Sequence, residues 1–220
     1  MTFDEGQGYV VLATIGLPLL AALLLIFVPG SQKMWARYIS AVTGAILAGL
    51  SIYIFVAYQV GGDDAQMNLR WAWVENTAFL GENGISLRLA VDGISATMAL
   101  LTGVVAFAGA LAAWKLDYRT KDFFILYWVL IAGVFGTFFS YDLFFFFFFY
   151  ELAVMPLYLL IGVWGSTRKE YGAAKLTLML VGGSVLMWIG IFAVFHEAGL
   201  GTFDLPSLWA AGSDGTLSPN

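Results

Sequence analysis

The sequence predicts an all-α protein that crosses a membrane several times, and three observations lead to this prediction. Of the 220 residues, 60% are hydrophobic and only 11% are charged, whereas about a quarter of the residues in a soluble domain are charged. The mean hydropathy is +0.84. Several apolar segments also reach the roughly 20 residues that a helix needs to cross a bilayer. Lipid accounts for all three observations, because it does not penalise exposed apolar side chains.

Six segments qualify as spans, and they cover residues 9–28, 35–58, 89–114, 123–140, 142–164 and 171–196. The first ends at Pro29-Gly30, a pair that punctuates helices. The apolar stretch 123–164 is too long for one helix, so a break at 140–142 is expected to divide it into a helical hairpin. We expect 1–220 to form a single transmembrane domain in which 197–220 is a polar outer tail or a loop without its continuation.

The distribution of basic residues predicts the orientation. One set of loops carries seven of them, Lys33, Arg37, Lys115, Arg119, Lys121, Arg168 and Lys169, and the opposite set carries only Arg70 and Arg88. Because cytoplasmic loops are enriched in lysine and arginine, the basic loops are placed inside and both termini outside the cytoplasm. A chain with an even number of spans has both termini on the same side of the membrane. The predicted orientation is therefore consistent with six spans.

The longest outer loop, 61–88, contains two short alternating patterns. Polar and apolar residues alternate over 68–73 and again over 85–89, which is typical of strands with one buried face. Residues 81–84 contain two glycines and can supply the turn between them. A short β-hairpin is therefore expected on the membrane surface, on the non-cytoplasmic side.

The composition also excludes several classes of site. There is no cysteine and only one histidine, His196, so thiolate zinc sites, iron–sulfur clusters and histidine-based metal or haem sites are not expected in this chain. No basic patch suggests nucleic acid. A redox centre is therefore expected elsewhere, if the function requires one.

Glu151 is the outlier among the apolar residues. It lies about nine residues into the fifth span and so near the bilayer centre. An ionised carboxylate there costs about 2.5–3.5 kcal/mol on insertion scales, and such residues generally face the protein interior or a water-filled path. Two interpretations remain open: a titrating group on a proton path, which we favour, and a glutamate held by a neighbouring helix for packing alone.

Three further residues are weaker candidates for that path. Pro156, on the same helix, frees a backbone carbonyl one turn earlier, which indicates either a hydrated kink or a simple structural bend. Lys175, just inside the sixth span, either extends its ammonium to the surface or takes part in proton entry. His196 ends the sixth helix and is either an ordinary interfacial residue or part of an exit route.

Asp92 and Asp142 each begin a helix at the outer face. Carboxylates at helix N-termini are favoured by the helix dipole, so capping is the preferred interpretation of both. Small residues predict where helices approach closely. They recur at helical spacing on the third span at positions 95, 99, 102, 106, 110 and 113, and on the fourth at positions 133, 136 and 137.

One segment resembles a known family. Asp142-Leu143, the phenylalanine run, and then Tyr150-Glu151-Leu-Ala-Val-Met-Pro156-Leu-Tyr158 look like the signature of chain M, or subunit 4, of NADH:quinone oxidoreductase, respiratory complex I. The motifs at 164–165, 171–175 and 91–95 continue the resemblance over essentially the whole chain. Antiporter subunits of the Mrp type share the glutamate and the proline. Tyr150 stands where the family commonly has tryptophan.

The resemblance implies about fourteen helices arranged as two inverted repeats, of which this chain would carry the first part. Glu151 matches the family glutamate that pairs with a lysine on a broken seventh helix, which lies beyond 220. The sequence is therefore expected to be a fragment, a split gene product or a partial chain. A missing segment or a second chain is expected to supply the other half.

The function that the resemblance implies is proton translocation by a membrane-arm subunit, driven by quinone reduction in other chains. NADH, FMN, iron–sulfur clusters and quinone are then expected in partner subunits, with no cofactor in this chain. The expected partners are the antiporter-like chains L and N, small membrane chains and the lipid bilayer, with no nucleic acid. The expected location is a bacterial inner membrane. The alternatives are an Mrp-type sodium/proton antiporter subunit and a truncated scaffold that transports nothing.

Overall fold

The computed structural model describes residues 3–30, 32–61, 66–74 and 84–213. Its elements are the helices α1 (Phe3–Phe27), α2 (Lys33–Gly61), α3 (Gly93–Ala112), α4 (Thr120–Phe139), α5 (Leu143–Trp164), α6 (Lys169–Ala198) and α7 (Leu205–Ser213), and the strands β1 (Gln66–Val74) and β2 (Ile85–Val91). Within the described segments, the helices α1 to α6 are long and apolar enough to cross a membrane. The prediction of six spans is confirmed.

The two strands form an antiparallel hairpin, as the alternation predicted. Leu69 lies opposite Leu89 and Arg70 opposite Arg88, while Met67, Leu69 and Leu89 turn into the core. The expected turn at 81–84 falls largely outside the described residues. The hairpin packs on α1 and closes one end of the helix bundle, called here the hairpin end.

The third helix starts four residues later than expected. Residues 89–91 pair with β1 instead of beginning the helix, and Asp92 then sets the start of α3. The Asp92 carboxylate accepts the backbone N–H of Ser95 at 2.7 Å, and Ser95 Oγ accepts the backbone N–H of Asp92 at 2.7 Å. This reciprocal capping box satisfies N–H groups that a helix cannot bond internally. The predicted capping role of Asp92 is thus found.

The helices approach closely where the small residues lie. Gly103 on α3 faces α2, since a Cβ at this position would lie 3.2 Å from the carbonyl oxygen of Leu47. Gly133 on α4 faces α5, where a Cβ would lie only 2.7 Å from the backbone nitrogen of Ala153. The two pairs α2–α3 and α4–α5 therefore pack backbone to backbone.

The basic residues gather at the other end of the bundle, called here the basic end. Arg37 forms a salt bridge of 2.9 Å with Asp117, and Lys33 donates to the backbone carbonyl of Asp117 at 2.8 Å. Lys121 donates to the carbonyl of Ile26 at 2.8 Å, where α1 ends and its last carbonyls lack helical partners. The two ends thus differ in charge as the loop composition predicted.

Residues 205–213 form a helix where the sequence suggested a polar tail. Asp204 precedes α7 and accepts both the backbone N–H and the hydroxyl of Ser207, at 3.3 and 2.6 Å. Leu208 and Ala211 are buried while Trp209 is 80% exposed. Nine residues are too few for a stable isolated helix, so α7 depends on its packing against the bundle.

Candidate functional site

Glu151 is the ninth of the 22 residues of α5. At 1.5 Å per residue it lies about 12 Å from the first residue of the helix and about 20 Å from the last. Helices α4 and α5 are separated by the short break at 140–142, as the sequence predicted. The break fixes the start of α5 at the hairpin end and thereby sets the depth of the carboxylate within an otherwise apolar helix.

The carboxylate of Glu151 is half-buried, and one of its oxygens is both buried and unpaired. Among the described residues, Oε1 has no hydrogen-bond partner. Leaving a buried acceptor unpaired costs about 1–3 kcal/mol, a cost that a purely structural residue would avoid. Oε1 is therefore open to a hydrogen bond from a donor outside the described residues, such as a water molecule.

Helical spacing shows what shares a face with Glu151. Phe147 is one turn before it and stacks on Trp188 of α6 with ring centroids 4.5 Å apart. Met155 is one turn after it and is 75% exposed. Residues four apart lie on the same helix face, so Glu151 lies where the contact of α5 with α6 gives way to an open surface. Pro156 follows as a buried residue inside α5.

Lys175 lies at a different depth. It is the seventh residue of α6, about 9 Å from the start of that helix, and its side chain is exposed. It borders a shallow depression with Tyr171, Leu178 and Met179. In the described part of the chain no salt bridge joins it to Glu151. The structure does not bring these two candidates together.

His196 is exposed near the last turn of α6, at the hairpin end. Lys175 and His196 therefore lie toward opposite ends of the same helix. Within the described segments, no group of three or more His, Asp or Glu side chains is arranged to hold a metal ion.

A second polar group closes the hairpin end, and its centre is Asp142. This residue is fully buried and caps α5. Its Oδ1 accepts the backbone N–H of Phe144 at 2.9 Å and that of Phe145 at 3.3 Å, while Oδ2 accepts that of Ser86 at 3.2 Å. The predicted capping role of Asp142 is found, together with an unpredicted bond to the hairpin.

The salt bridge between Arg88 and Asp204 completes this group. One Arg88 nitrogen donates to both carboxylate oxygens of Asp204, at 2.8 and 2.9 Å, and Asp204 is 3% exposed. The interaction joins β2 to the segment before α7, 116 residues away. The sequence analysis did not predict this salt bridge. The available signal was that Arg70 and Arg88 are the only two basic residues in the otherwise acidic outer loops.

The pKa values of the two buried aspartates are shifted in opposite directions. Burial raises the pKa of Asp142 to about 6, and the charge of Asp204 adds to the effect although three backbone N–H groups oppose it. Burial acts in the same sense on Asp204, but hydrogen bonds from Ser207 and Arg88 and the charge of Arg88 outweigh it and lower the pKa of Asp204. Stability should therefore depend on pH mainly through Asp142 above pH 4.

The expected direction follows from proton binding. Between pH 3.8 and about 6 the folded protein holds the Asp142 proton more tightly than the unfolded chain does, so its stability falls as the pH rises through this window. Two pKa units correspond to roughly 3 kcal/mol. The contribution of Asp204 is present above its unfolded pKa and is lost only at lower pH.

We expect the melting temperature of the detergent-purified protein to fall as the pH is raised from 4 to about 6. Asp142→Asn should remove this fall, because asparagine does not titrate yet caps helices as well as aspartate. The exposed control Glu197→Gln should keep it. An unchanged pH profile in Asp142→Asn would assign the titration to another group.

Comparisons with known proteins show what the chain is similar to in sequence and fold. Residues 140–217 match the family described as NADH:quinone oxidoreductase/Mrp antiporter, transmembrane. The chain is 34% identical over 193 residues to NAD(P)H-quinone oxidoreductase chain 4 2 of Trichodesmium erythraeum, covering 87% of this chain and 34% of that protein. The chain thus spans about a third of the length of this curated relative.

Two solved structures share the fold. A chain of respiratory complex I from Thermus thermophilus with bound NADH superposes with a TM-score of 0.76 at 23% identity, covering 91% of this chain and 39% of that one. A chain of the Mrp complex from Dietzia sp. DQ12-45-1b gives 0.71 at 17% identity, covering 96% and 22%. The resemblance of the α5 motif is confirmed: the chain carries a domain of the NADH:quinone oxidoreductase/Mrp antiporter membrane family and is a homologue of NAD(P)H-quinone oxidoreductase chain 4.

Proposed function

We propose that this chain belongs to a proton-translocating membrane-arm subunit of a complex I-type NADH:quinone oxidoreductase. The observation that carries the proposal is Glu151, whose buried Oε1 has no hydrogen-bond partner among the described residues about midway along an apolar helix. Oε1 can accept a further hydrogen bond without breaking one made within the described residues, as a carboxylate on a proton path requires.

The proton step uses the charge of Glu151. When ionised, it stabilises a proton on a basic group nearby, and when protonated it releases that bias. The basic partner that the resemblance implies is a lysine on a seventh helix, and in this proposal a further segment or a second chain supplies it. Pro156 lacks an N–H and leaves the carbonyl of Leu152 without its helical partner, which supplies a polar atom for water on the residue next to Glu151.

Lys175 and His196 are proposed as the entry and exit sides of the path. They lie toward opposite ends of α6, and both are exposed. Neither contacts Glu151 directly, so water must bridge the intervening depth. The exposed apolar side chains of α6, among them Leu178, Met179, Leu186 and Ile189, provide the surface on which a second half of the subunit, or lipid, would pack.

Quinone reduction takes place in other chains in this proposal. The present sequence contains no cysteine, so iron–sulfur clusters are assigned to partner subunits. The resemblance assigns NADH, FMN and quinone to partner subunits as well, and places the antiporter-like chains L and N and small membrane chains in the same arm. The protein is placed in a bacterial inner membrane with both termini on the non-cytoplasmic side. The concentration of lysine and arginine at the basic end supports that orientation.

The second candidate is an Mrp-type sodium/proton antiporter subunit, which the similarity to the Mrp complex chain favours. Both candidates use the same buried carboxylate, but their driving forces differ. Complex I-type transport draws on quinone reduction, whereas an antiporter draws on an ion gradient and needs no electron donor.

The deciding experiment is to purify the protein under mild detergent from its own membranes through an affinity tag and to reconstitute the co-purifying assembly into vesicles. We expect flavin and iron–sulfur subunits in the assembly and proton movement on addition of NADH and a quinone. Proton movement that requires a sodium gradient, in an assembly of small membrane subunits alone, would establish the antiporter. An assembly that moves protons under neither condition would indicate that the chain is a scaffold subunit that transports nothing.

A further inference from the structure

A cleft of about 420 Å³ lies at the hairpin end, outside the Glu151 site. The start of α3, the end of α4, the first turns of α5 and helix α7 surround it. Asp92 and Tyr141 contribute polar groups to its wall, and Ile94, Phe146, Leu205 and Trp209 contribute apolar surface. The cleft therefore combines a carboxylate with a predominantly apolar lining.

Its position along the spans corresponds to the headgroup region of a bilayer. Asp92 immediately precedes α3, and Tyr141 lies in the break between α4 and α5, so both are located where membrane-spanning helices begin or end. Ile94 is 74% exposed and Trp209 is 80% exposed beside the cleft. Tryptophan is enriched at this depth because its ring prefers the boundary between acyl chains and water.

The carboxylate of Asp92 has hydrogen bonds but forms no salt bridge with any described residue. Its oxygens accept the backbone N–H of Ser95 at 2.7 Å and the hydroxyl of Tyr141 at 3.0 Å. All ten lysines and arginines of the sequence lie in the described segments, and none forms a salt bridge with Asp92. Arg88, on the adjoining strand, is already paired with Asp204.

Charge complementarity thus selects a cation as the polar part of any occupant. A carboxylate has about four lone-pair sites, more than the two used by the bonds from Ser95 and Tyr141, so it can accept from a further donor. A primary ammonium supplies N–H donors, whereas a quaternary ammonium does not. An anionic headgroup would meet a like charge.

We propose that the cleft binds phosphatidylethanolamine from the membrane leaflet at the hairpin end. The ammonium of the lipid bonds to Asp92, and one acyl chain lies along Ile94, Phe146 and Trp209. The bound lipid fills the space between α7 and the start of α3 and so holds α7 on the bundle. This site is independent of proton transport and does not depend on the function proposed above.

The exposed ring of Trp209 allows a direct test. The protein is placed in nanodiscs of phosphatidylglycerol containing a low fraction of phosphatidylethanolamine with brominated acyl chains, which quench tryptophan on contact. A matched series carries the bromine on phosphatidylglycerol in a phosphatidylethanolamine background. Because the sequence has eight tryptophans, Trp209→Phe is measured in parallel, and the difference reports Trp209 alone.

We expect quenching of Trp209 to be stronger with brominated phosphatidylethanolamine by up to about fivefold, the upper limit for one exposed ion pair. Asp92→Asn should abolish this preference while retaining the helix cap. Asp122→Asn, at the basic end, should leave it unchanged. If Asp92→Asn does not fold, Ile94→Ser replaces it, because this exposed side chain contributes only to the apolar wall, and quenching should then weaken for the brominated lipid.

Equal quenching by the two lipids would overturn the proposal. So would a preference for phosphatidylethanolamine that a folded Asp92→Asn protein retains. Absence of quenching in both series would show that protein, and not lipid, covers the cleft.

Discussion

Replacing Glu151 by glutamine is expected to reduce proton translocation to the background leak of the vesicles. Glutamine has nearly the same shape but binds no proton in the physiological range, so the buried site loses its titration and keeps its volume. Assembly should be largely retained, because Oε1 makes no hydrogen bond within the described residues that the substitution would break. The measurement is proton movement per quinone reduced, in vesicles that contain the purified assembly.

The matched control is Glu197→Gln, which makes the same chemical change at an exposed position near the end of α6. It should translocate protons at the wild-type rate. Glu151→Asp keeps a titrating group but withdraws it by one methylene, so an intermediate rate is expected. Wild-type coupling in an assembled Glu151→Gln protein would remove Glu151 from the proton path.

The second large effect is expected at Gly133, where α4 meets α5. A Cβ at this position would lie 2.7 Å from the backbone nitrogen of Ala153 and 2.9 Å from the carbonyl oxygen of Phe149. These are backbone atoms, so they cannot rotate away as a side chain would, and the two helices must separate. Gly133→Ala should destabilise the fold by about 1–3 kcal/mol, the usual range for overpacking, and Gly133→Leu should prevent folding.

Thermal unfolding of the purified protein in detergent measures this effect. Gly49→Ala on α2 is the control, because a Cβ there meets nothing within 4 Å. Alanine favours a helix over glycine by up to about 1 kcal/mol, so the control should melt at the wild-type temperature or slightly above it. Equal melting temperatures for Gly133→Ala and Gly49→Ala would contradict the close contact of α4 with α5.

Much of the transmembrane architecture could be predicted from local sequence. Each span is set by the length of an apolar run relative to the bilayer thickness, and the break at 140–142 divides α4 from α5 because Asp142 caps the next helix. The depth of Glu151 follows from the same count. The hairpin was predictable because a two-residue alternation over 68–73 and 85–89 requires a sheet with one buried face.

The contacts that join distant segments were not predictable in this way. The start of α3 was misplaced because residues 89–91 are apolar enough for a helix, and only pairing with β1 makes them a strand. Helix α7 was missed because its nine residues acquire stability from Leu208 and Ala211 packing on the bundle, not from their own propensity. The Arg88–Asp204 salt bridge spans 116 residues, beyond the reach of any local pattern.

The sequence by itself therefore determined the number of spans, their order and the presence of one carboxylate at mid-depth, because hydropathy acts locally and the bilayer fixes a single length scale. Only the tertiary structure decided which polar groups find partners. It left Oε1 of Glu151 without a hydrogen-bond partner among the described residues, buried Asp142 beneath the hairpin, and directed Arg88 to Asp204 and away from Asp92. These outcomes depend on how the hairpin, the helix break and α7 converge in space, a relation that no single segment encodes.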